Sequence, residues 1–476
     1  MPTSEPSVGQ AFMVGFTGTD AASAEGVVRR LRPAGLALLP RNIVSRSQLA
    51  DLTGGLRDVA RREGMPPLFL AIDQEGGAVA RLNADNGFPD LPSAMSIGRT
   101  GDLALARDLA TATASELASV GINLDLAPVA DLALDPQNMV IGSRSFGSDP
   151  TAVSGFVSAT IEGLHRGGVL ACVKHFPGHG STHVDSHLAL PHLDASESEL
   201  RDRDLVPFRG AIAADVDAVM TAHVVSPLDP TVPATLSRRT LVGVLRRDLG
   251  FDGLVLSDAL DMKALAGVEI PPWQVGAEAL RAGADVLIFE RDTELIERSH
   301  AWIGRCLADG ELDPALVIRS RDRVDGVRAR LAEYQRLGTA AEPWPSELVD
   351  RAILDGLSVS GPLAGAPFDT VPVVIDVLAG HDFADAVGWP LCDAADATRQ
   401  SGRPVIIVGP DAEELEALAA IDDRALASVA AVVVLGGTRS PSGLGGSMTV
   451  VLGFDSPRGQ WRAIATTLYR GAGGRP

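Results

Sequence analysis

Lysine is nearly missing from this chain: of 41 basic residues only Lys174 and Lys263 are lysines, and arginine supplies all the others. Where arginine does almost every cationic task, a retained lysine points to a position that needs a compact ammonium. Cysteine is scarce as well. Cys172, Cys306 and Cys392 are widely spaced and odd in number, which excludes a disulfide framework or a cysteine metal motif. Positive charge is in deficit, with a net charge of −20 and a pI near 4.8, so a large nucleic-acid footprint is excluded. No apolar run reaches the length of a membrane span, and MPTSEPSVGQAFMVGF at the N-terminus has neither a basic n-region nor a cleavage site. The expectation is a cytoplasmic protein with no nucleic-acid or membrane partner. Nothing in the sequence fixes an oligomeric state.

What is present begins with Lys174–Pro191, KHFPGHGSTHVDSHLALP. His175, His179, His183 and His187 are spaced four apart, a helical period, but Pro177, Gly178 and Gly180 interrupt any helix. A long, irregular, histidine-rich loop is a functional candidate. Around it, eight short apolar runs alternate with amphipathic helical patterns: 10–18, 35–43, 67–77, 123–132, 168–176, 216–225, 253–260 and 285–290. Asp102–Val120 and Asp149–Arg166 are the clearest helices between them. Eightfold strand–helix alternation indicates an α/β fold, a (β/α)8 TIM-type barrel, with a doubly wound sheet as competitor.

Polar residues gather where these runs end: Asp73, Gln74 and Glu75, then Asp131, Lys174 and His175, Thr221 and His223, Ser257 and Asp258. Barrel active sites are built on that rim. Asp313 to about Gly338 reads as one or two helices, and Thr339–Glu347 carries linker signals. Smaller apolar runs at 371–378, 404–409, 431–436 and 449–454 then indicate a second α/β unit, with Asp411 capping a helix. The domains are therefore placed at 1–340 for the barrel, 341–348 for the linker and 349–476 for a smaller C-terminal α/β domain. The glycine-rich loop Gly436–Gly446 matches no phosphate-binding fingerprint, and neither cofactor nor metal is expected.

Asp258 follows a strongly apolar strand, where a carboxylate is held rigidly enough to act as a nucleophile toward a sugar carbon. Asp261 is its competitor. Asp185 and His187, two residues apart, form a candidate proton-transfer pair in which the carboxylate orients the imidazole. Asp73, Arg81, Arg144, Lys174 and His175 supply the mixed donors and acceptors that grip sugar hydroxyls and an amide carbonyl.

These residues occur in blocks that resemble the glycoside hydrolase family 3 β-N-acetylglucosaminidases, bacterial enzymes that remove GlcNAc from peptidoglycan fragments and related glycosides. The blocks are DQEGG…R (Asp73–Arg81), NLDLAPVAD (Asn123–Asp131), IGSRSFGSDP (Ile141–Pro150), Lys174–Pro191, MTAH (Met220–His223), PATLS (Pro233–Ser237) and FDGLVLSDALDM (Phe251–Met262). They keep the family's order across the N-terminal two-thirds of the chain. The resemblance implies a barrel with a C-terminal α/β domain, Asp258 as nucleophile, and His187 with Asp185 as an acid/base dyad. It also implies Asp73, Arg81, Arg144, Lys174 and His175 as sugar-binding residues. Ala78 departs from the pattern, standing where many members have arginine.

Three other functions use the same features. One is a phosphorylase releasing GlcNAc-1-phosphate. Another is a metal-dependent barrel of the amidohydrolase kind, disfavoured because the first strand has no histidine. The last is a non-catalytic sugar-binding barrel.

Overall fold

The computed structural model describes residues 8–135, 138, 140–182, 190–337, 344–349 and 352, with the backbone of five strand segments between 358 and 453. Eight strands form the central sheet: β1 (Phe12–Val14), β2 (Gly35–Ala37), β3 (Phe69–Ile72), β4 (Leu124–Asp125), β5 (Leu170–Phe176), β6 (Ala218–Thr221), β7 (Leu254–Leu256) and β8 (Leu287–Phe289). Their order is β7-β6-β5-β4-β3-β2-β1-β8, and all neighbours run parallel. A parallel bridge from Leu256 to Val286 brings the two ends of that order together. The sheet is thus a near-barrel with helices packed around it. Each of the eight apolar runs read from the sequence contains one of these strands. Most strands end before their runs do, because the last residues turn into the rim; β5 alone of the eight continues to the end of its run at Phe176.

Local chemistry explains where the helices start. Leu103–Ser119 begins on Asp102, whose carboxylate accepts from the amides of Ala104 and Leu105. Pro150–Arg166 begins on Asp149, which accepts from the Ala152 amide, with Pro150 in the first turn where no donor is needed. Pro314–Leu337 is one continuous helix where one or two were expected after Asp313.

Strand side chains divide between two cores by parity, as pleating requires. Met13, Phe69, Ala71, Leu170, Cys172, Ala218, Met220, Leu254, Leu256, Val286 and Ile288 pack together inside the ring. Their neighbours Phe12, Val14, Leu70, Ile72, Ala171, Val173, Val219, Val255, Leu287 and Phe289 pack outward against the helices. The alternation decides which polar residues face the mouth. Counting on by two from the inner positions gives Asp73 after β3, Lys174 at the end of β5, Asp258 after β7 and Glu290 after β8. Asp125, one step out of phase with Leu124 and Leu126, falls on the other face.

Trp344 and Leu348 pack against the outer core, and Val349 and Ala352 are buried in it. Farther along, Ser358–Ser360, Val373–Asp376, Val405–Gly409, Val429–Leu435 and Thr449–Gly453 form one five-stranded sheet. It is antiparallel only between the first and last of them. Three of the four late apolar runs contain one of these strands, and the run 431–436 overlaps the strand Val429–Leu435, which starts two residues earlier. Asp411, its expected helix and the loop Gly436–Gly446 lie outside the described residues. Among the described residues no helix is long and apolar enough to cross a membrane.

Candidate active site

The segment after β3 folds back as a small hairpin, Gln74–Gly76 against Val79–Ala80. The Gln74 side chain clamps it, donating to the Leu82 carbonyl and accepting from the Leu82 amide, both at 2.9 Å. The hairpin returns Arg81 to Asp73, 3.3 Å from its carboxylate. Ala78 sits exposed at the hairpin turn, so its departure from the family pattern leaves the Asp73–Arg81 contact intact.

Lys174 reaches the same carboxylate from β5. Its ammonium is 2.7 Å from Asp73 Oδ1 and 2.5 Å from Glu75 Oε1, and its side chain is 3% exposed. Glu75 also takes a two-pronged bond from Arg144, at 2.7 and 2.8 Å. Arg144 is held in place by donating to the Val140 carbonyl at 2.8 Å. Burial alone would neutralise these groups, but the network reverses the effect. Burial pushes the Asp73 and Glu75 carboxyls up, and Lys174, Arg81 and Arg144 outweigh it, holding both below the ordinary carboxylate range. Lys174 and Arg144 are likewise depressed by burial, yet the neighbouring carboxylates raise both above their ordinary values. The cluster is ionised throughout. This answers why the lysine is retained: its site is a tight pocket between two carboxylates.

His175 is fixed from behind. Its Nδ1 lies 2.6 Å from Asp131 Oδ2, and the Asp131 carboxylate also accepts from the His175 and His179 amides at 3.2 and 2.7 Å. Burial raises the Asp131 carboxyl, but the His175 ring outweighs it and keeps it low. With Nδ1 engaged, Nε2 faces the site, 3.4 Å from Arg144. The Lys174–His175 peptide bond is cis.

Asp258 is half-buried on the rim, accepting at 2.7 Å from the amide of Ala259. The next residue is anchored by His223, whose Nε2 meets the Ala259 carbonyl at 3.0 Å and whose Nδ1 meets Thr235 Oγ1 at 2.8 Å. Burial lowers the His223 pKa, so the ring is neutral. Three separate blocks, MTAH, PATLS and SDAL, therefore meet in one support for the Asp258 loop. Asp261, the competitor, is fully engaged elsewhere: its carboxylate accepts from the amides of Glu290, Arg291 and Asp292 at 2.7–3.3 Å. It is a loop clamp, and Asp258 is the carboxylate left facing the mouth.

Of the residues picked from the sequence, Asp73, Arg81, Arg144, Lys174 and His175 converge in one network, and Asp258 stands four strands round the ring from Asp73. Asp185 and His187 lie outside the described residues. Glu75 and His223 were seen only as rim residues in the sequence, with no role given to either. Glu75 lies inside DQEGG, but only the fold reveals it as the partner shared by Lys174 and Arg144. Among the described residues no three His, Cys, Asp or Glu side chains cluster as a metal site.

An α/β near-barrel with an inward carboxylate opposite a buried cationic grip, all on the C-terminal rim, is the layout of barrel enzymes that act on polar substrates. The family model "Glycosyl hydrolase family 3 N terminal domain" matches residues 4–327. A beta-hexosaminidase from Stenotrophomonas maltophilia (strain K279a) is 39% identical over 303 residues, covering 62% of this chain and 88% of that protein. The structure of a glycoside hydrolase family 3 β-N-acetylglucosaminidase from Paenibacillus sp. str. FPU-7 superposes with a TM-score of 0.88 at 29% identity, covering 99% of this chain and 97% of that one. LpqI of M tuberculosis covers 68% of this chain and 93% of its own, at 34% identity and a TM-score of 0.62. The chain belongs to glycoside hydrolase family 3, and it is a glycoside hydrolase.

Proposed function

We propose that this chain is a retaining β-N-acetylglucosaminidase that removes terminal β-linked GlcNAc from glycosides such as peptidoglycan fragments or chitooligosaccharides. The supporting observation is the inward carboxyl of Asp258 across the mouth from the Asp73–Lys174–Arg144 network. It agrees with the relatives, a beta-hexosaminidase of Stenotrophomonas and a β-N-acetylglucosaminidase of Paenibacillus. We read residues 1–340 as a closed (β/α)8 barrel, 341–348 as a linker and 349–476 as a smaller α/β domain.

The sugar is gripped by Asp73, Arg81, Arg144, Lys174 and His175. Lys174 has three donors and spends two on Asp73 and Glu75, which leaves one for a sugar hydroxyl. An Asp258 oxygen attacks the anomeric carbon as the bond from that carbon to the leaving oxygen breaks. His187, oriented by Asp185, gives its proton to the leaving oxygen. Neutral His187 then takes a proton from water, the water oxygen bonds the anomeric carbon, and Asp258 departs as carboxylate with configuration retained.

A panel of aryl β-glycosides, assayed with and without phosphate, tests the proposal. GlcNAc should be preferred over glucose, galactose and xylose, with free GlcNAc as product. A preference for glucose, or phosphate-dependent release of a sugar phosphate, overturns it. Asp258→Ala should cut turnover by roughly 10⁴-fold with the fold intact. Substantial residual activity would refute the nucleophile assignment.

A further inference from the structure

Glu290 is the one inward rim position named above that neither the sugar grip nor the catalytic residues use. It follows Val286 and Ile288, which both face the inside of the ring, so it continues the inner series of β8 just as Asp258 continues that of β7. Its backbone is clamped on both sides. Its amide donates to Asp261 at 3.1 and 3.3 Å, and its carbonyl accepts from the Arg41 guanidinium. Gly15 packs so close that a Cβ there would lie 2.2 Å from the Glu290 carbonyl oxygen. Such clamping gives the side chain a rigid base.

The side chain itself is left over. It is 25% exposed and makes no hydrogen bond among the described residues, and its nearest cation is the largely exposed Arg291, at 3.8 Å. The charges that bear on it are the carboxylates of Asp73, Asp258 and Asp261, opposed by the guanidinium groups of Arg291 and Arg41. A buried carboxyl among like charges and without a hydrogen-bond donor is costly, and such groups cluster at functional sites. Nearby, Arg41 donates to the carbonyls of Phe16 and Glu290 and so is tied to the backbone beneath the Glu290 side chain.

We infer that Glu290 is a specificity-determining residue that accepts a hydrogen bond from a hydroxyl of the sugar whose anomeric carbon faces Asp258. The inference rests on the proposed glycosidase reaction, but not on the identity of the sugar. Burial and the surrounding carboxylates push the group up to about 7, so it changes charge near neutrality. Ionised, it makes the stronger, charge-assisted bond.

The test measures kcat and KM for wild type, Glu290→Gln and Glu290→Ala on the aryl β-glycoside that wild type cleaves fastest, and on its 3-, 4- and 6-deoxy analogues. We expect Glu290→Ala to raise KM by roughly tenfold with kcat changed less than about threefold, and the loss to vanish for one deoxy analogue. The wild-type KM should fall as pH rises through neutrality, and Glu290→Gln should flatten that step. Should Glu290→Ala fold poorly, the near-isosteric Gln variant carries the comparison. Unchanged KM values, or an equal loss on every analogue, overturn the inference. A wild type that prefers glucose would refute the GlcNAc proposal instead, leaving this comparison interpretable on the glucoside.

Discussion

Glu290 also offers a stability measurement that is independent of substrate. In the folded chain its carboxyl titrates near 7 rather than at its ordinary 4.5, chiefly because it is buried and secondarily because Asp73, Asp258 and Asp261 surround it. The sign follows from linkage. Between those two values the folded protein holds a proton that the unfolded chain has released, so folding loses stability as pH rises through that window. Below about 4.5 both states are protonated and there is no penalty; above about 7 the penalty is complete. The difference converts to about 3 kcal/mol at 1.36 per pK unit. The quarter of the side chain that remains exposed lowers this to about 1–3 kcal/mol. Glu290→Gln replaces the protonated form with a neutral group of similar shape that cannot titrate. Urea unfolding of the two proteins should therefore give similar stabilities at pH 4.5 and a variant that is more stable by about 1–3 kcal/mol at pH 8. Because the comparison is a difference, the titrations of Asp73, Glu75 and Asp131 largely cancel. Curves that stay parallel from pH 4.5 to 8 would refute the placement of this carboxyl among its neighbours.

Two further outcomes follow from the site. Lys174→Met should destabilise the fold by about 3–5 kcal/mol, since it strips one cation from two buried carboxylates and leaves them to Arg81 and Arg144. Denaturant titration measures it, and adding Glu75→Gln to Lys174→Met should recover part of the loss. Asp261→Ala should cost about 1–3 kcal/mol by leaving three loop amides without their acceptor. Its catalytic loss should nonetheless stay far smaller than that of Asp258→Ala; equal losses would mean the two aspartates had been assigned wrongly.

Much of this was legible in the chain itself. Short continuous apolar runs between helical patterns indicate buried strands, and all eight became neighbours in one parallel sheet. Asp102 and Asp149 marked their helices because a carboxylate beside free amides acts locally. The retention of Lys174 marked a site, and its two carboxylate contacts give the reason. Asp258 could be preferred over Asp261 for its place directly after an apolar strand, but what holds Asp261 was not legible. Asp258 and Asp261 are separated by three positions and share one loop, and nothing local says that the second is captured by amides of the strand-eight loop.

The sequence alone determined the strand–helix alternation, the polar rim and the family, since each depends on residue type and spacing along a few neighbouring turns. The tertiary structure decided who meets whom. Glu75 became the shared partner of Lys174 and Arg144, and His223 the support beneath Asp258. Glu290 became a mouth residue by the same means. Those outcomes depend on closing a ring whose strands lie far apart in the chain, and on a pleat whose phase sends each side chain inward or outward. Neither ring closure nor phase is a property of any one segment.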